Sequence, residues 1–219
     1  MTDQPPADAP RGGRRGLFLA VEGGDGAGKS TQADALARWL GEQGYAVRRT
    51  REPGGTGLGR SLRELVLHGE DGSVTARAEA LIFAADRAHH VATVVRPALE
   101  AGEIVITDRY LDSSVAYQGA ARELGHGEVR DLSLWAVEGL LPDLTVVLDV
   151  SPEQGRLRRG ATHDRVEREG DDFHLRVRRG FLDLAGQQPE RYLVLDAQEP
   201  QPAIESAVRE RVRELLERR

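Results

Sequence analysis

Leu17-Phe18-Leu19-Ala20-Val21-Glu22-Gly23-Gly24-Asp25-Gly26-Ala27-Gly28-Lys29-Ser30-Thr31 is the stretch whose reading sets the fold. A short apolar run feeds directly into a glycine-rich loop, and the loop into the amphipathic segment Thr31–Gln43, with Ala35, Leu36, Trp39 and Leu40 on one stripe. The spacing G-x-x-x-x-G-K-[ST] between a strand and a helix is that of a phosphate-binding loop. Glycines let backbone amides point inward, and the helix adds its positive N-terminus. Lys29 is the single lysine among 30 strongly basic residues, an ammonium kept where every other base is a guanidinium. The chain therefore reads as an enzyme that handles a nucleoside triphosphate. In that reading Gly23, Gly24, Asp25, Gly26, Ala27, Gly28, Lys29, Ser30 and Thr31 cradle the phosphates, and Ser30 ligates Mg²⁺, with Asp25 or Asp108 as water-mediated partners.

Working outward, strands alternate with helices. Further strands are expected at 46–50, 103–107, 144–150 and 192–195, and helices at 58–67, 76–101, 112–123, 128–140, 172–186 and 203–216. This order implies an α/β fold: a five-stranded parallel sheet with helices on both faces. Ligands of such sheets bind beyond the carboxyl ends of the strands, where three segments converge: the glycine loop, Arg51-Glu52-Pro53 and Asp108-Arg109-Tyr110. Residues 1–14 read as a disordered leader, 15–219 as one domain, and the polar arginine-glycine stretch at about 156–170 as a short lid.

The 219 residues carry a formal charge of −6 and no block of like charges, which speaks against a nucleic-acid partner. Cysteine is absent, which excludes disulfides and thiolate metal sites. With no apolar run of membrane-spanning length and no signal-peptide core, the expected location is the cytoplasm. Asparagine is absent too, so the Asn-Lys-x-Asp element that reads guanine in switch GTPases cannot exist here. The six histidines show no metal spacing and are expected in surface or capping roles.

Six segments together resemble the thymidylate kinase family: EGGDGAGKST (22–31), REPGGT (51–56), FAADR (83–87), ITDRYLDSSVAYQG (106–119), LDVSPE (148–153) and DRVE (164–167). The resemblance implies a P-loop nucleoside-monophosphate kinase that moves the γ-phosphoryl of ATP to dTMP, with Mg²⁺. It implies that Phe83 and Arg87, four apart on one helix face, hold thymine. Arg109 and Arg51 grip the acceptor phosphate, with Glu52 and Pro53 shaping the turn that presents Arg51. Tyr117 crowds the sugar 2′ position, Ser114 and Gln118 line the base pocket, and Asp25 meets the sugar or the metal; Tyr110 is assigned to packing.

Members of the family differ in whether a catalytic arginine sits in the glycine loop or in the lid. The loop has none here, so the resemblance implies the bacterial type with a lid arginine: Arg159 first, Arg165 next, Arg158 also a candidate, and Arg156 nearer adenine. The expected catalytic set is Lys29, Arg109, Arg159, Arg165 and Asp25, in a homodimer to which the helix at 76–101 contributes.

Overall fold

A computed structural model describes residues 15–68, 73–158 and 164–219. The leader (1–14) and Arg159 fall outside the described residues.

Five strands form one parallel sheet: β1 (Phe18–Gly23), β2 (Val47–Arg51), β3 (Ile104–Asp108), β4 (Leu144–Asp149) and β5 (Tyr192–Asp196), in the order β2-β3-β1-β4-β5. The central strand is apolar at every position up to Val21 because both faces are covered. Leu17, Leu19 and Val21 enter one core, and Phe18 and Ala20 the other. The first core is closed by helices α1 (Lys29–Glu42) and α9 (Gln201–Glu217). Ile204, Val208 and Val212 recur every four residues along α9 and are buried, contributing about 1.5–3 kcal/mol each.

The opposite face carries α2 (Gly57–Leu67), α3 (Ala76–His90), α4 (Arg96–Glu100), α5 (Leu111–Ser114), α6 (His126–Ala136) and α8 (Asp171–Gln187). Thr56 caps α2 by accepting the Gly59 amide at 2.9 Å, which ends the REPGGT turn and starts the helix.

The expected helix at 76–101 is helical throughout, but α3 passes into α4 through a π-helical turn, Val91–Val95. The Arg96 amide reaches back to Val91, just before Pro97, which has no amide to donate. The 112–123 helix is α5 continued by a second π-helical segment, Val115–Ala121. The 128–140 helix begins earlier and stops at Ala136, because Glu138 and Gly139 take positive φ values of 50° and 72°. One helix had no counterpart in the sequence reading: α7, Pro152–Arg158, at the start of the expected lid. Its signal was present, since Ser151 accepts the Gln154 amide at 3.3 Å and Pro152 occupies the first turn. Among the described residues no helix is long and apolar enough to cross a membrane.

Candidate active site

The carboxyl ends of β1, β2 and β3 lie side by side, so Gly23, Arg51 and Asp108 end at one rim of the sheet. The glycine loop leaves this rim and turns into α1 at Gly28, whose φ of 90° suits a residue without a Cβ. A Cβ on Gly26 would strike the Gly155 carbonyl, and one on Gly155 the Asp25 carbonyl, so α7 lies directly against the loop. Lys29 is buried and its Nζ donates to the Gly24 carbonyl at 2.8 Å. Burial, then the nearby Arg109 charge, pushes its pKa down to about 8. Ser30 donates to Asp108 Oδ2 at 2.5 Å, which sets a hydroxyl and a carboxylate oxygen side by side at the start of α1.

Arg109 follows β3 in the left-handed region, with φ 70°, a conformation a non-glycine residue keeps only where its surroundings hold it. Its guanidinium donates to the Gly23 carbonyl at 3.3 Å and Ser113 Oγ at 3.0 Å, and pairs with Asp25. Tyr117 completes this group, donating to Asp25 at 2.8 Å and accepting from Arg109 at 3.2 Å. Burial opposes the Arg109 charge, but Tyr117, Asp25, Glu22 and Asp108 together hold its pKa above the ordinary arginine value. Burial also works against the Asp25 carboxylate, and Arg109 and Lys29 outweigh it, leaving its pKa low. The structure therefore joins the expected Asp25, Arg109 and Tyr117 into one charged cluster.

Two clefts open from that cluster. The first is lined by Asp25, Glu52, Pro53, Phe83, Arg87, Arg109, Ser114, Tyr117 and Gln118 among others. All the acceptor-site residues expected from sequence are there except Arg51. Arg51 lines the second cleft with Lys29, Ser30, Asp108, Arg63 and Arg109. Arg109, Arg63 and Glu52 border both, so two cations and a carboxylate, itself held by Arg87 and His90, stand where the two spaces meet.

In the first cleft, Arg87 is buried and nearly saturated. Its Nε donates to Glu52 at 2.8 Å, Nη1 to Ser133 at 3.3 Å, and Nη2 to the Tyr110 carbonyl at 3.2 Å and Ser114 at 3.1 Å. Phe83, one turn earlier on α3, is half-buried. Tyr110 packs edge-on against Phe18 and donates to the Leu140 carbonyl at 3.0 Å, the packing role expected of it.

Three contributors escaped the sequence reading. Arg63, two turns into α2 and outside every motif of the sequence, donates to the Pro53 carbonyl at 3.2 Å and borders both clefts. Burial, Arg51 and Arg109 push its pKa down, so the cluster has cation repulsion that an anion would relieve. Glu22 is fully buried and takes the Tyr110 amide at 2.7 Å, the Ser113 amide at 3.2 Å and the Ser113 hydroxyl at 2.6 Å. Burial, reinforced by Asp112, raises its pKa. His90, assigned with the other histidines to the surface or to capping, is instead fully buried between Glu52 and Thr50. His174 is buried as well.

The lid residues divide. Arg156, exposed, pairs with Asp171 at 2.5 Å, and Arg158 donates to the Ala197 carbonyl at 2.8 Å. Arg165 is buried, donates to the Val66 carbonyl at 3.0 Å and pairs with Glu79, and it borders neither cleft. Glu79 also takes Gln118 at 2.8 Å and Arg122 at 3.3 Å.

A sequence profile of thymidylate kinases matches residues 21–208. The chain is 61% identical to the thymidylate kinase of Leifsonia xyli subsp. xyli, over 90% of this chain and 94% of that one. It is 53% identical to the thymidylate kinase of Bifidobacterium longum strain NCC 2705, over 91% and 98% of the two chains. The crystal structure of thymidylate kinase from Ehrlichia chaffeensis superposes with a TM-score of 0.75 at 31% identity, covering 91% of this chain and 99% of that one.

Proposed function

The chain belongs to the thymidylate kinase family, and from that premise we propose how its own residues divide the work between the two nucleotides. The activity is ATP-dependent phosphorylation of dTMP to dTDP. The acceptor is already an anion and requires no general base, so the site's task is positioning and charge neutralisation.

The first cleft takes dTMP. Phe83 offers a ring face to the base, Arg87 a fixed guanidinium to its edge, and Ser114 and Gln118 line the same wall. Tyr117 and Asp25 stand at the sugar, and Arg109 and Arg63, which border both clefts, at the phosphate, with Arg51 facing it from the second cleft. Lys29 and the glycine-loop amides hold the ATP phosphates. Ser30 beside Asp108 is a hard-oxygen donor pair that fits Mg²⁺, which would supply charge neutralisation between phosphate groups.

The observation that carries this reading is that Arg109 borders both clefts while tied to the glycine loop through Gly23 and Asp25. A cation fixed there lies between donor and acceptor phosphates. The remaining charge comes from the lid, at about 156–170, and Arg159 is our choice. Arg165 is committed to Glu79 and Arg158 to Ala197, which supports that choice. The domain at 15–219 works in the cytoplasm as a homodimer. An apolar groove along α3 and α6, lined by Ala88, Val91, Ala92 and Val137 beside an 80%-exposed Trp135, supports the paired state.

Steady-state kinetics of Arg87→Ala tests the division. The KM for dTMP should rise by about tenfold or more, the loss of a hydrogen bond to a charged group, while the KM for ATP stays put. Equal effects on both substrates would remove Arg87 from the acceptor site.

A further inference from the structure

Residues Phe83, Asp86, Arg87 and His90 follow the i, i+3, i+4, i+7 spacing and share one face of α3. This face grips the 51–56 turn at several points: Asp86 accepts the Gly54 amide at 3.3 Å, Arg87 takes one oxygen of Glu52, and His90 takes the other. Glu52 is thus consumed by α3. Its Oε2 lies 2.8 Å from Arg87 Nε and its Oε1 2.8 Å from His90 Nδ1, and all three side chains are buried.

We propose that His90 is a positioning residue for base recognition, acting through Glu52 on Arg87. The inference rests on the assignment of Arg87 to thymine. A carboxylate only accepts hydrogen bonds, so the His90 Nδ1 facing Glu52 carries a proton. The other ring nitrogen, Nε2, lies 2.6 Å from Thr50 Oγ1 on β2, a strand-borne anchor. His90 is therefore pinned at both ends, and it pins Glu52.

The consequence falls on the guanidinium. Arg87 has five N–H groups, and four are engaged by Glu52, Ser133, Tyr110 and Ser114. One on Nη1 remains for a ligand acceptor such as a carbonyl on the base edge. The Nε–H bond to Glu52 fixes the rotation of the guanidinium plane and hence the direction of that last donor. Without His90, Glu52 could swing about its remaining partner and the plane would turn with it. Angular error matters because hydrogen bonds weaken steeply away from linearity.

The test compares His90→Met, His90→Asn and Thr50→Val, each alone and with Arg87→Ala, by steady-state kinetics with dTMP and ATP varied separately. His90→Met keeps bulk but loses the donor. It should raise the KM for dTMP about tenfold, as for a hydrogen bond to a charged group, and move the KM for ATP less than twofold. His90→Asn places an amide N–H where Nδ1 was and should restore the KM for dTMP to within about threefold of the parent. Thr50→Val, nearly isosteric, should shift the KM for dTMP in the same direction by about threefold and answers the question should His90→Met not fold. In the Arg87→Ala background both changes should be silent for dTMP, because their route is gone.

The proposal is overturned if the His90 or Thr50 effects add to Arg87→Ala. It is overturned equally if His90→Met raises both KM values alike, or if Asn rescues no better than Met. Should Arg87→Ala itself fail to discriminate dTMP from ATP, the underlying assignment falls; if Arg87→Ala discriminates and the His90 and Thr50 variants are silent, only the positioning role falls.

Discussion

Ser113 donates its hydroxyl to Glu22 at 2.6 Å, and the same oxygen accepts Arg109 at 3.0 Å. A buried carboxylate on the strand that leads into the glycine loop thereby orients the arginine between the clefts. Ser113→Ala cuts the link at its middle and leaves Arg109 with the Gly23 carbonyl, Asp25 and Tyr117. We expect kcat to fall by about 10- to 100-fold, the range of one hydrogen bond to a charged group, with KM values nearly unchanged. Pre-steady-state single turnovers would show whether the loss lies in the chemical step.

Lys29 sets a pH signature for ATP binding. Its pKa is pushed down from 10.5 to about 8 by burial and Arg109, so between those values the unfolded chain binds a proton that the folded chain has lost. The free protein should therefore gain stability as pH rises through that window, and the full cost of the buried charge applies below about 8. Phosphates beside the ammonium reverse the shift. Binding of Mg-ATP near pH 8.5 should take up a proton, seen as a dependence of the calorimetric heat on buffer ionisation enthalpy. Lys29→Arg, which stays charged, should show no such uptake; equal uptake in that variant would assign the proton elsewhere.

Ser30 and Asp108 predict the metal's behaviour. Ser30→Ala should raise the Mg²⁺ concentration for half-maximal rate by about tenfold, and Ser30→Thr should keep the parent value. A chelator should abolish turnover with either enzyme. A Ser30→Ala enzyme with the parent Mg²⁺ dependence would detach the hydroxyl from the metal.

The lid arginines should separate by what they damage. Arg165→Ala removes one partner of the buried Glu79, leaving that carboxylate with Arg122 and Gln118. Its cost should appear chiefly as lost stability, about 3 kcal/mol in denaturant unfolding. Arg159→Ala should leave stability alone and lower kcat by about 10³-fold or more. If Arg165→Ala leaves stability intact and carries the kcat loss instead, the assignment is reversed.

How far the sequence could be read follows from the distance between partners. The glycine loop is a local pattern, so Lys29 and Ser30 were legible together with the strand and helix that flank them. Phe83 and Arg87 were singled out by the resemblance of FAADR to the family, and helix spacing put the two on one face. His90 was not, since its partners Thr50 and Glu52 lie 40 and 38 residues away on another element. Glu22 was hidden in the same way, with its hydrogen-bond partners 88 and 91 residues distant. The helix α7 was missed for a different reason: the arginine-glycine composition after Gln154 outweighed a Ser-Pro start signal. The π-helical turn before Pro97 follows from one missing amide, but its register is settled only by packing.

The central claim is that one cleft is shaped for dTMP and meets the ATP cleft at Arg109. ADP release with Mg-ATP, measured against dTMP, dUMP, dCMP, dGMP, UMP and AMP in turn, tests it most directly. The account predicts the highest kcat/KM for dTMP, dUMP behind it by about 10- to 200-fold because one methyl group is at stake, and UMP lower still through its 2′-hydroxyl against Tyr117. ADP release that is independent of any acceptor, or fastest with a purine monophosphate, would contradict it.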